Sequence, residues 1–191
     1  MAADSELDEG LPLQSYADEA RASDAETFVA KHGNAFLVHE GPLQPARRPM
    51  RAQPTVVLDK AGPPGASSLQ RATPAPIMLR QLLVFPIRST GRSPYPSMVT
   101  VGRTRNNDIV ISDVAISKFH AFFKEEDGRV VLQDAGSRNG TRLDGEAVPD
   151  AKRGKPVEVK AGARVCFGEI EFGFVRGAQL HELASLAPRP R

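Results

Sequence analysis

VGRTRNNDIVISDVAISKFHAFF, Val101 to Phe123, and DAGSRNGTRLDGE, Asp134 to Glu146, decide how this chain is read. In both stretches short apolar runs alternate with turn chemistry, and the polar groups fall on the connections. Val99 and Val101, then Ile109 and Ile111, alternate with Thr100 and Val110, the period of strands that turn one face to a core. The connections carry an arginine, a serine, a lysine and an asparagine. Those groups can bind an oxyanion; no base, nucleophile or metal set lies among them.

Outward from this centre the same texture continues. Strands are expected near 78–88, 98–102, 108–111, 119–125, 129–133, 157–160, 164–167 and 170–175. Turns are marked by Asp127-Gly128, Ser137-Arg138-Asn139-Gly140, Asp144-Gly145 and Gly154. About eight short strands at close, fairly regular spacing imply an all-β fold, an antiparallel β-sandwich.

Towards the N-terminus the organisation changes. Residues 1–22 are acidic, alanine-rich and poorly periodic, and are expected to be a disordered tail. Residues 23–41 read as a short helix plus strand: Ser23-Asp24-Ala25-Glu26 as a capping box, Gly33 as the C′ residue, Ala35 to Val38 as the strand. So small a fragment must dock on something or stay mobile. Residues 42–76 hold eight of the sixteen prolines and read as a semi-extended linker, with Val56 to Leu58 at most a transient edge strand. The sandwich is expected over 77–176. The C-terminal tail, 177–191, is expected to open with a brief helix at 177–187.

Four features of the core stretches point to binding. Gly102-Arg103 ends a strand, so the Arg103 guanidinium projects from a loop, and such a planar fork holds a phosphate through two parallel hydrogen bonds. Ser117-Lys118 offers a hydroxyl, an ammonium and two backbone N–H groups just before the next strand. Asn139-Gly140 sits in a tight turn, where Gly140 tolerates positive φ and Asn139 presents a donor and an acceptor. All lie on connections, where rigid scaffolds carry binding groups.

In order, Gly102-Arg103, Asn107-Asp108-Ile109, Ser117-Lys118-Phe119-His120 and Asn139-Gly140-Thr141 resemble the motifs of the forkhead-associated (FHA) domain, a phosphothreonine-binding β-sandwich. The resemblance covers roughly residues 77–176. It implies that Arg103 and Ser117 hold the phosphate and that Lys118 adds charge or a backbone N–H. Asn139 would grip the ligand's main chain, and Arg138 stands where many members have threonine. Gly102, His120, Gly140 and Thr141 would support the site. Ala115 departs from members that place a basic residue there, so the ligand preference does not carry over.

The function implied is phosphopeptide recognition without chemistry, in a cytoplasmic signalling adaptor of a Ser/Thr kinase pathway. Its partner would be a phosphothreonine-containing protein, with the kinase or its substrate as candidates. The alternative is a phosphate-independent scaffold that uses an FHA-like fold. An enzyme regulated by its own FHA domain is a third reading, which the lack of another domain-sized segment disfavours. Thr27, in an acidic context, raises the further idea of a phosphorylated segment folding back onto its own domain.

Other groupings carry less. Asp108 reads as a turn cap, Asp113 as a solvent-facing carboxylate, and Cys166, between Val165 and Phe167, as a buried core thiol. No cofactor or metal is expected, because one cysteine excludes an internal disulfide and a thiolate zinc site. No apolar run approaches the roughly 18 residues of a membrane helix, and the acidic N-terminus is unlike a signal peptide. The net charge of +2 hides an asymmetry: residues 1–26 set eight acidic side chains against Arg21, while the rest is mildly basic. That pattern favours an anionic partner. It does not extend to nucleic acid, since no Lys/Arg block is interleaved with aromatics.

Overall fold

Side-chain alternation along three strands sorts the molecule into layers. The structure, a computed structural model, describes residues 10–40 and 82–188. The first stretch comprises β1 (Leu11–Pro12), a 3-10 turn (Leu13–Tyr16), α1 (Ala17–Ala22), α2 (Ala25–His32) and β2 (Ala35–Glu40). The second opens with β3 (Leu82–Pro86), β4 (Val99–Gly102), β5 (Ile109–Val110), β6 (Ala121–Glu126) and β7 (Arg129–Asp134). It continues through β8 (Thr141–Leu143), β9 (Glu146–Ala147), β10 (Val157–Glu158), β11 (Arg164–Phe167), β12 (Ile170–Arg176) and α3 (Gly177–Leu186).

The strands form two sheets, ordered β1-β3-β2-β12-β11-β8-β9 and β10-β7-β6-β4-β5. Named strands pair antiparallel except β4 with β5. Asp127 and Gly128 both have positive φ (51° and 73°), as do Asp144 and Gly145 (51° and 89°). Two successive left-handed residues give a turn whose twist matches a two-residue hairpin, which is how β6–β7 and β8–β9 close.

Leu37, Phe85 and Phe174 lie between the sheets, while their neighbours Phe36, Val84 and Val175 point outward from the seven-stranded sheet. Between the sheets, the Phe167 ring stands 5.6 Å from Phe172 and 6.4 Å from Phe123, centroid to centroid. Outside, α1, α2 and α3 cover the sheet through Leu13, Tyr16, Ala20, Phe28, Leu180 and Ala184. The described residues therefore form three layers: helices, seven strands, five strands. Burial in the helical layer pushes the Tyr16 hydroxyl pKa up to about 12, against a smaller opposite pull from Arg88.

The all-β sandwich is as expected, but several boundaries move. Residues 10–22 are not a disordered tail, because Leu13, Tyr16, Ala17 and Ala20 are buried against the sheet; residues 1–9 lie outside the described residues. The capping box moves by one residue. Ser23 Oγ donates to the Glu19 carbonyl at 2.8 Å and closes α1, while the Asp24 carboxylate caps α2 by accepting from Thr27 N–H at 2.8 Å. The helix and strand of 23–41 are no separate element. β2 is an interior strand paired with β3 and β12, so the sandwich begins well before residue 77.

The expected linker at 42–76, and the start of the strand expected at 78–88, fall outside the described residues. The described part of that strand ends at Pro86. The strand expected at 157–160 covers two residues, and β1, β8 and β9 were not anticipated. The C-terminal segment is not a simple tail: Leu180 and Ala184 of α3 are fully buried in the helical layer. Cys166 is half-exposed, because Val165 and Phe167 take the inward positions of β11 and alternation turns the residue between them outward. Burial and the nearby Glu171 carboxylate hold its thiol pKa above the ordinary value.

Candidate functional site

The register Val101↔Ala121↔Asp134 brings the end of β4, the start of β6 and the end of β7 to one end of the five-stranded sheet. Three connections leave from there: 103–108, 111–120 and 135–140. They carry Arg103, Ser117, Lys118, Arg138 and Asn139.

Gly102 lets the first two connections meet. A Cβ built on it would stand 2.3 Å from the Lys118 carbonyl oxygen and 2.7 Å from Asn107 Nδ2, so no side chain fits. The next residue, Arg103, donates its N–H to the Ser117 carbonyl at 2.9 Å. Buried Asn107 donates from Nδ2 to the Lys118 carbonyl at 2.7 Å, and the Thr104 hydroxyl donates to the same oxygen at 2.9 Å. Arg103 and the Ser117-Lys118 pair are thereby fixed to each other through main chain.

His120 joins the second connection to the third. Its Nδ1 accepts from Ser117 N–H at 3.2 Å, so the ring proton sits on Nε2, which donates to the Gly140 carbonyl at 3.1 Å. Burial pulls the His120 pKa below 6.5, although the Gly140 carbonyl and the Asp134 charge act the other way. The neutral ring is the form this geometry needs.

The third connection is organised by Asp134, a residue not singled out from sequence. Its Oδ1 accepts from the N–H groups of Gly136 and Ser137, both at 2.8 Å. Its Oδ2 accepts from the hydroxyls of Ser137 at 2.7 Å and Thr141 at 2.6 Å. Burial raises the Asp134 pKa, but those four donors together outweigh it and hold the carboxyl below its ordinary 3.8. A signal existed in sequence, since Asp134-Ala135-Gly136-Ser137 has the form of an Asx turn.

Two bonds complete the frame. Arg138 N–H donates to Ser117 Oγ at 3.0 Å, and Asn139 Nδ2 donates to the Ala115 carbonyl at 2.7 Å. Gly140 follows with φ of 73°. All five expected ligand-facing residues therefore belong to one hydrogen-bonded unit, with Gly102, His120, Gly140 and Thr141 inside it. Lys118, Arg138 and Asn139 are exposed, and Arg103 and Ser117 are half-buried. The Ser117 hydroxyl accepts from Arg138, which leaves its own proton to donate. Its main-chain partners Arg103 and Arg138 and its chain neighbour Lys118 are all cationic residues. Such a surface can bind a dianion by charge-assisted hydrogen bonds from groups already held in place.

The neighbouring residues resolve differently. Asp108 does more than cap a turn: its carboxylate accepts from the N–H and hydroxyl of both Thr90 and Thr100, at 2.7 to 2.9 Å. Asp113 is only half-exposed and accepts from Ala115 N–H at 2.7 Å, which tightens the Ser117 connection. Thr27 lies in the first turn of α2 with its N–H on Asp24, a helical setting that an extended ligand would have to unwind. Among the described residues no cluster of three or more His, Cys, Asp or Glu is arranged to hold a metal ion. Nor is any described helix long and apolar enough to cross a membrane.

Residues 99–168 match the family model described as FHA domain. An ABC transporter ATP-binding/permease protein of Mycobacterium tuberculosis is 31% identical over 136 residues, 71% of this chain and 15% of the transporter. The oxoglutarate dehydrogenase inhibitor of Corynebacterium diphtheriae is 35% identical over 78 residues, 41% of this chain and 50% of the inhibitor. The chain thus spans half or less of the length of these curated relatives. Among solved structures, an FHA domain of an Arabidopsis thaliana hypothetical protein aligns with a TM-score of 0.40 and 26% identity, covering 58% of this chain and 77% of that one.

Proposed function

We propose that the chain, whose residues 99–168 match the FHA domain model, is a phosphothreonine-dependent interaction module, an adaptor in Ser/Thr kinase signalling. The observation that carries this reading is the Ser117 hydroxyl. It is held by Arg138 N–H at 3.0 Å, on a loop whose main chain also fixes Arg103. A phosphate near −2 meets a hydroxyl proton, a guanidinium fork and an ammonium, on loops already immobilised by Asn107, His120 and Asp134.

The roles follow from reach and chemistry. Arg103 and Ser117 hold the phosphate, Lys118 and Arg138 add positive potential, and Asn139 hydrogen-bonds the ligand's main chain. Gly102, His120, Gly140 and Thr141 position these groups. The protein acts by binding, in the cytoplasm, on a phosphothreonine-bearing kinase or kinase substrate. Selectivity for threonine over serine rests on one methyl group, worth about 1–2 kcal/mol.

The test is an array of degenerate peptides in phosphothreonine, phosphoserine and unphosphorylated forms. Retention confined to the phosphothreonine peptides supports the reading. Partner capture that survives phosphatase treatment, with no phosphopeptide retained, would replace it with a phosphate-independent scaffold.

A further inference from the structure

Three rings climb the outer face of the five-stranded sheet beside the phosphate loop. Phe122 of β6 is buried; Phe119 stacks on it with centroids 6.1 Å apart and planes at 27°. Tyr95 stacks on Phe119 at 5.9 Å and 18°, and its residue is 47% exposed. Lys124 Nζ stands 5.4 Å from the Phe122 ring centroid, at the other end of the ladder. The outermost ring is the exposed one.

An exposed aromatic is unremarkable alone, but this one is held. Tyr95 N–H donates to Ser93 Oγ at 3.2 Å and its carbonyl accepts from Met98 N–H at 3.3 Å, between Pro94 and Pro96. The connection that carries it is tied down where Thr90 N–H and Oγ1 bond Asp108 Oδ1, at 2.7 and 2.9 Å. Asp108 follows Asn107, which grips the Lys118 carbonyl. Phe119 itself directly follows Lys118, two residues and about 7 Å of chain from Ser117. The ladder adjoins the Ser117 loop in sequence, and the connection that carries Tyr95 is tied to it indirectly, through Asp108 and its neighbour Asn107.

We propose that the Tyr95–Phe119 ladder is an accessory subsite that receives an aromatic or large aliphatic side chain of the same phosphorylated partner, at a position flanking its phosphothreonine. This rests on the phosphothreonine reading above. A pre-placed ring costs little conformational entropy on binding, and ring-on-ring or aliphatic contact adds to an affinity that one phosphate cannot make sequence-selective. The occupant is assigned to the phosphopeptide because the ladder starts at the loop that takes the phosphate.

The experiment compares wild type, Tyr95→Ala and Tyr95→Phe on peptide libraries with phosphothreonine fixed and each flanking position varied. The expected result is an enrichment of aromatic or large aliphatic residues at one flanking position in wild type and Tyr95→Phe. Tyr95→Ala should lose it, with about three- to tenfold weaker binding of the enriched peptide, while dependence on phosphothreonine persists. Phosphothreonine-dependent binding with the same flanking profile in all three proteins overturns the subsite alone. No phosphothreonine dependence in wild type overturns both readings. Conversion of a self-associated wild type to monomer by Tyr95→Ala, with the flanking profile unchanged, would assign the ladder to a second copy of the chain and likewise overturn the proposal.

Discussion

The Arg138 backbone N–H donates to the Ser117 hydroxyl oxygen at 3.0 Å, joining two loops 21 positions apart in the chain. One hydroxyl thus holds the loop that carries Asn139 and, as an acceptor there, keeps its own proton to donate. Ser117→Ala removes both at once. Phosphopeptide affinity should fall by about 1.5–3 kcal/mol, the worth of a hydrogen bond to a charged group, or roughly 10- to 150-fold. Titration calorimetry on wild type and variant checks this. Ser117→Thr keeps the hydroxyl and should recover most of the affinity.

His120 makes the domain acid-sensitive. The unfolded chain takes up this proton near pH 6.5, the folded chain only at a lower pH, because burial disfavours the charged ring. Stability is therefore full above 6.5 and falls as pH drops through that value towards the folded one. Protonation would also remove the acceptor that holds Ser117 N–H. Urea midpoints should drop between about pH 7.5 and about pH 5.5, and an NMR titration should put the His120 imidazole below 6.5. Asp134 acts in a separate window, its contribution present above 3.8 and lost as pH falls further.

Gly102 tolerates no side chain. Because a Cβ would meet a carbonyl oxygen and a buried amide that already bond each other, neither can yield cheaply. Gly102→Ala should destabilise by about 3 kcal/mol, the upper end of what overpacking costs. Thermal or chemical denaturation reads it. At temperatures where the variant stays folded, the displaced Lys118 backbone should also weaken phosphopeptide binding.

The helical layer should affect stability without affecting recognition. Phe28 is fully buried, with its ring 6.2 Å from Tyr16 and 5.3 Å from His181. Phe28→Ala should cost about 3–5 kcal/mol. Since α2 covers the outer face of the opposite sheet, phosphopeptide affinity of the folded protein should stay within about twofold, or about 0.4 kcal/mol.

Legibility in the sequence followed the range of the interactions. The turns at Asp127-Gly128 and Asp144-Gly145 need only two residues able to adopt positive φ, so they read directly, although the short strands β8 and β9 around the second did not. Gly102, Ser117, His120 and Asn139 stand close to local turn chemistry, and the register of β4, β6 and β7 carries them to one end of the five-stranded sheet. The helical layer was obscured because much of what it buries is small: Ala17, Ala20 and Ala184 carry weak periodicity in an acidic context. Its burial also depends on Phe36, Val84 and Val175, which no local pattern assigns to an outer face. The place of β2 between β3 and β12 is a pairing across more than forty and more than one hundred and thirty residues, beyond any local signal. Cys166 was misread because flanking apolar residues suggest a core, whereas the two-residue period turns the middle one out.

Arg103→Ala binding to phosphothreonine peptide tests the central claim most directly. The account predicts phosphate-dependent binding in wild type and a loss of about 2–4 kcal/mol in the variant, roughly 30- to 1000-fold, with the fold intact. Equal binding by both proteins, or binding that ignores the phosphate, would contradict it.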